Sequence, residues 1–135
     1  AFDFAQDQPP LPQLRYRQAF SSELVAEGKS FDIVISNHVL HHLDPSQFHG
    51  LLEDSEVLAS QLALHSDIAR SPVAYALFSV GTLPFFPGSF IRTDGLTSIR
   101  RSFTQSELAA VVPSPWRVER ESPYRNVLLL EPGHG

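Results

Sequence analysis

No cysteine occurs in this sequence. Disulfides and thiolate metal ligands are therefore excluded, and a reducing compartment, by default the cytoplasm, is the expected location. No run of lysine or arginine occurs either, and the formal net charge is −5. Nothing favours counterion release from a phosphate backbone, so nucleic acid is excluded as an expected partner. Long hydrophobic runs are missing as well: the most apolar window, residues 73–90, is broken by Gly81, Pro84, Pro87 and Gly88. No membrane span is expected, and no charged-then-apolar leader stands at Ala1. Methionine is absent, and the chain opens in mid-pattern on Ala-Phe-Asp-Phe-Ala. It reads as a piece of a longer protein.

What is present centres on residues 31–44. An apolar β-branched run (Phe31, Ile33, Val34, Ile35) gives way to Ser36-Asn37 and then to His38, His41 and His42. A buried strand that turns from oily to hydrogen-bonding delivers polar groups to its carboxyl end, where ligands bind in open α/β sheets. At 135 residues the chain has length for a single domain with one core.

The remaining elements follow from pattern. Pro9, Pro10 and Pro12 make residues 7–13 a linker. Residues 14–20 alternate enough to predict a strand, and Ser21-Ser22-Glu23 predicts a short helix ending at Gly28. Pro45-Ser46 opens a helix carrying Phe48, Leu51, Leu52 and Leu58, its acidic face (Glu53, Asp54, Glu56) turned to solvent. Residues 62–67 repeat the design of an apolar strand with a polar end, Ser66-Asp67. Two strands joined by one helix imply a parallel crossover, which sets Asn37-His38 and Ser66-Asp67 on the same side of the sheet. Ser71-Pro72 opens a core helix through Ala74, Tyr75, Leu77 and Phe78 to Gly81. Residues 82–102 predict an irregular lid, and Thr104-Gln-Ser-Glu107 is a capping box for another helix. Two closing strand-like runs, 116–121 and 126–131, are too close for a crossover and should pair antiparallel.

With the strands laid out, the chain resembles the C-terminal part of a class I S-adenosylmethionine-dependent methyltransferase, of the kind related to ubiquinone and menaquinone biosynthesis methylases. Phe31-Asp-Ile-Val-Ile-Ser-Asn-His-Val-Leu-His-His-Leu43 resembles that family's fourth-strand signature, Leu64-His-Ser-Asp67 its fifth strand, and the closing hairpin its reversed seventh strand. The likeness runs over residues 14–132. It implies an α/β, Rossmann-like methyltransferase sheet that is incomplete, its first two strands missing, within one partial domain over residues 1–135. The family's glycine-rich first motif has no counterpart after an early strand; Gly-x-Gly spacing occurs only at the end of the chain, Gly133-His134-Gly135.

The resemblance implies S-adenosylmethionine as cofactor of the intact protein, faced by Ala19, Phe20, Asn37 and His38. It implies a small apolar or aromatic hydroxyl or carbon acceptor, with His41 or His42 as optional base and Phe85, Phe86 and Phe90 over the substrate. The 135 residues alone are expected to be inactive; either the missing N-terminal half exists outside this chain, or the chain exchanges with a second copy through the sheet edge that the absent first strand leaves unpaired. Three alternatives stand beside these roles. His41 and His42 could simply cap and pack the turn; His38, His41 and His42 have the i, i+3, i+4 spacing of a metal site, though no metal is assigned; and the chain could be a noncatalytic Rossmann-like interaction module.

Overall fold

The computed structural model describes residues 13–82 and 90–133. In chain order the elements are α1 (Ser21–Ala26), β1 (Phe31–Asn37), a 3-10 turn (Leu40–His42), α2 (Pro45–Leu58), β2 (Ala59–Ile68), α3 (Pro72–Thr82), α4 (Phe90–Arg101), α5 (Gln105–Val111), β3 (Arg117–Glu121) and β4 (Arg125–Leu130). The four strands form one sheet in the order β1-β2-β4-β3. β1 and β2 are parallel, while β4 runs antiparallel to both β2 and β3. This is the mixed sheet with a reversed C-terminal hairpin that the sequence predicts. β1 lies at its margin, paired with β2 on one side.

Register decides which residues share a face. Val34 and Ser36 align with Ala63 and His65 across β1 and β2, and Ala63, His65 and Asp67 align with Leu130, Leu128 and Asn126 across β2 and β4. Residues directly opposite one another project from the same side, so these belong to one face. The core forms there, from Ala63, Leu128 and Leu130 of the sheet with Phe48 and Leu52 of α2, Leu108 of α5, Leu40 and Trp116. Ile33 and Ile35 belong to the opposite face, aligned with Leu62 and Leu64, and are 52% and 67% exposed. One face of the sheet is thus packed and the β1 margin of the other is open.

Helix ends are fixed as their sequences require. The Asp44 side chain accepts from Gln47 N at 2.9 Å and the Gln47 side chain from Asp44 N at 3.0 Å, with Pro45 in the first turn. Thr104 and Glu107 reciprocate in the same way at 3.3 and 2.9 Å. Each box satisfies two donors that the first helical turn leaves free.

Four expectations are corrected. Residues 14–20 form no strand: the segment runs without regular structure into α1, with Leu14, Tyr16 and Phe20 exposed. Alternation gives a strand only where a neighbour supplies ladder bonds, and β1 pairs with β2 instead. The second concerns the predicted lid at 82–102, because residues 90–101 are helix α4. Gly95 allows α4 to approach α3 closely; a methyl group there would come within 2.5 Å of the Phe78 ring. Third, α3 is not a core helix. None of its residues is fully buried, and Val73, Leu77 and Val80 are exposed. Finally, the acidic face of α2 is not merely solvated, since Asp54 accepts from Ser21 Oγ at 2.6 Å and Glu56 from Trp116 Nε1 at 2.7 Å.

Candidate functional site

The parallel pairing of β1 with β2 aligns Asn37 with Ser66, and His38 N donates to Ser66 O at 2.9 Å. Both polar strand ends therefore meet at one edge, as the crossover predicts. His38 then takes φ 57°, a left-handed conformation that costs a non-glycine residue about 1 kcal/mol or more. The chain turns sharply there and enters the 3-10 turn that carries His41 back over β2.

Asp67 anchors that turn to β2. His41 N donates to its Oδ2 at 2.8 Å, His41 Nδ1 to its Oδ1 at 2.7 Å, and Ile68 N to Oδ1 at 2.7 Å. A carboxylate with a side chain 5% exposed is stable only with donors of this kind around it. The arrangement directs a His41 Nδ1 proton at Asp67. Nε2 is buried without a partner, and the His41 side chain is 2% exposed. His42 is exposed, with its ring centroid 4.0 Å from that of His41. His38 Nδ1 stands 4.0 Å from Asp67 Oδ1. Among the described residues no three His, Asp or Glu side chains are placed to hold a metal ion.

Two residues earlier on the same face, His65 shares a hydrogen bond of 2.7 Å with Ser36 Oγ and stacks on Trp116, centroids 5.2 Å apart. Burial pushes the His65 imidazole down to about 4. It is neutral at pH 7, and its role is to hold β1, β2 and the entry to β3 together.

Ala19 and Phe20 lie apart from this cluster. They line a cavity of about 460 Å³ between α1 and α2, with Val39, Leu43, Gln47 and Asp54 among its other walls. Val39 directly follows Asn37-His38, which links this cavity to the strand ends. Phe20 is 78% exposed, so an aromatic face is open to a purine ring. These residues offer an aromatic face and the polar side chains of Gln47 and Asp54 to a ligand. Phe90 is 81% exposed at the start of α4, and Phe85 and Phe86 lie outside the described residues.

Sequence pattern points to His38, His41 and Asp67 individually, and the structure joins them. It also adds Arg120 and Asn126, which nothing in their neighbourhood signals. Arg120 stands opposite Asn126 across β3 and β4, and Asn126 opposite Asp67 across β4 and β2. Only the hairpin register brings them into line. A cross-strand count from the two closing runs could have found the first pair.

Residues 2–59 match the model of a family described as a methyltransferase domain. The resemblance to class I S-adenosylmethionine-dependent methyltransferases is borne out over that segment, and no subfamily is singled out. No curated protein sequence matches. Among solved structures the chain is similar to magnesium protoporphyrin IX methyltransferase from Synechocystis PCC 6803 with bound SAH, at 18% identity and a TM-score of 0.40. That likeness covers 76% of this chain, which spans 45% of the other.

Proposed function

We propose, with the methyltransferase domain over residues 2–59 as premise, that this chain forms the acceptor-facing part of an S-adenosylmethionine-dependent methyltransferase site. The observation that carries the reading is the meeting of Asn37-His38 with the Asp67–His41 pair at the carboxyl ends of β1 and β2. Such a crevice is where open α/β sheets take ligands. When bound, the cofactor supplies an electrophilic sulfonium methyl group.

What the chain itself does is position groups and handle a proton. Asn37, His38, Ala19 and Phe20 would face the cofactor. For a hydroxyl acceptor, the accepting oxygen loses its proton, and imidazole is the side chain suited to take it near neutral pH. His42 is exposed and can reach a substrate, whereas His41 is sealed. His42 is therefore assigned as the base, and His41, held by Asp67, as its positioning residue. The acceptor is a small apolar or aromatic molecule with a hydroxyl or carbon nucleophile. This chain, which carries no glycine-rich motif after an early strand, is proposed to be inactive by itself.

The test is transfer of labelled methyl from S-adenosylmethionine to phenolic acceptors by the product of the full reading frame. His42→Ala should lower kcat by roughly 10²-fold or more for a hydroxyl acceptor and leave cofactor affinity unchanged. Equal turnover by the variant would remove His42 from the chemistry. A second reading, a noncatalytic interaction module, draws on the exposed Ile33 and Ile35 at the β1 margin. It predicts a reading frame without an upstream strand, Gly-rich turn and acid about twenty residues later.

A further inference from the structure

Helix α3 breaks the rule for a surface helix. Residues 72–82 carry no charged side chain, and none of them is fully buried. The side turned to the protein holds Ala74, Tyr75, Phe78 and Ser79, each partly covered, with the Phe78 ring against Gly95 of α4. The other side presents Val73, Ala76, Leu77 and Val80, all exposed, with Val73, Leu77 and Val80 at 56%, 62% and 67%. Their i, i+3, i+4, i+7 spacing is that of a helix–helix seam, about 10 Å long at the rise of an α-helix. The solvent side of such a helix ordinarily carries charge, and here it carries none.

The order of side-chain sizes along the seam says what fits it. Two copies of α3 laid antiparallel about a two-fold axis between residues 76 and 77 bring Val73 opposite Val80 of the partner subunit, and Ala76 opposite Leu77 of the partner subunit. Large meets small at the centre, and equal branched side chains meet at each end. Every contact is repeated by the symmetry, as a two-fold interface requires. A parallel pairing would set Leu against Leu beside Ala against Ala, a clash next to a gap. No charge has to be desolvated to close the seam. It is small beside the roughly 800 Å² per partner of a standard interface, so the pairing is weak and reversible.

The geometry points to α3 as a self-association surface whose occupant is α3 of a second copy, antiparallel to the first. This surface is separate from the β1 margin, whose exposed Ile33 and Ile35 belong to the sheet, and it needs neither cofactor nor methyl transfer. Helix α4, which packs on α3, also packs on the 3-10 turn Leu40–His42, so the pairing braces the helices that adjoin the candidate site. Two copies of formal net charge −5 repel, and the seam offers salt nothing to screen except that repulsion. Added salt therefore tightens the dimer.

The experiment is sedimentation equilibrium of the 135-residue chain carrying Ile35→Lys, which removes the β1 margin as a route to association, at concentrations up to about 1 mM. The expected result is a weight-average mass that rises towards a dimer and no further, more steeply in higher salt. Leu77→Ala opens a gap and Ala76→Leu a clash, and each should weaken the dimer by roughly 10-fold or more. The double variant Ala76→Leu/Leu77→Ala still sets one large residue against one small one across the axis and should restore it. All these positions are exposed, and unchanged Leu128 and Leu108 resonances report an intact core. Because the chain has no cysteine, a mixture of Val73→Cys and Val80→Cys chains under oxidised glutathione should cross-link faster than either variant alone. Undiminished association of Leu77→Ala, no recovery in the double variant, self-linking of Val73→Cys as fast as the mixture, or dissociation by salt would each overturn the proposal. So would a chain that stays monomeric to that concentration; Leu77-dependent binding of such a monomer to phosphatidylglycerol vesicles would assign the seam to a membrane surface instead.

Discussion

The Asp67 carboxylate accepts three donors in a buried setting, and this is where single substitutions are most informative. Asp67→Asn turns one acceptor into a donor facing the His41 N–H groups. It should destabilise the fold by about 2–3 kcal/mol, read by urea unfolding, and release the His41 tautomer, read from the imidazole nitrogen shifts. Unchanged stability would mean that the pair is incidental. His65 gives a pH signature. Its folded pKa of about 4 lies below the ordinary value near 6.5, so the unfolded chain takes up the proton first. Stability is full above pH 6.5 and declines as pH falls towards 4, by on the order of 3 kcal/mol. An NMR titration of His65 with a midpoint near 6.5 would contradict this. The sequence marks Asp67 as a strand-end polar group but not as the partner of His41, because a 3-10 turn with a left-handed residue before it sets that contact, and neither has a strong local signature. Burial of His65 against Trp116 is a meeting of residues far apart in sequence.

Elements with strong local rules were legible. The Thr104–Glu107 capping box, the α2 and α5 spans and both parallel strands follow from residues adjacent in sequence, whereas the Asp44–Gln47 box shows only in the structure. Thr104→Ala removes the α5 cap and should cost about 1 kcal/mol, measured by denaturant unfolding; Glu107, held below the usual carboxylate range first by the Thr104 backbone N–H and then by its hydroxyl, should move back towards that range in the same variant. A variant as stable as the parent would show that α5 is held by Leu108 packing alone. The strand expected at 14–20 failed for a tertiary reason, since its alternation had no ladder to join. The irregular stretch expected at 82–102 is overturned over residues 90–101, where Gly95 sits inside α4 and admits the Phe78 ring; residues 83–89 lie outside the described residues.

On the scale of the whole molecule, the described sheet has one packed face and an open β1 margin where Phe31, Ile33 and Ile35 are exposed. The resemblance read from the sequence places another strand beside β1. Without it, the chain should associate with a second copy as its concentration rises, seen as a growing weight-average mass in sedimentation equilibrium; a compact monomer throughout the range would remove that prediction. Among the described residues no helix is long and apolar enough to cross a membrane. The proposed function stands or falls on whether the carboxyl ends of β1 and β2 form one wall of a cofactor and acceptor pocket. Titrating S-adenosylhomocysteine into the isotope-labelled chain decides it. Shifts should be confined to Phe20, Asn37, His38 and Val39 with a Kd near 1 mM, about −4 kcal/mol, as befits half a pocket. Shifts elsewhere, none at all at that concentration, or micromolar affinity would contradict it.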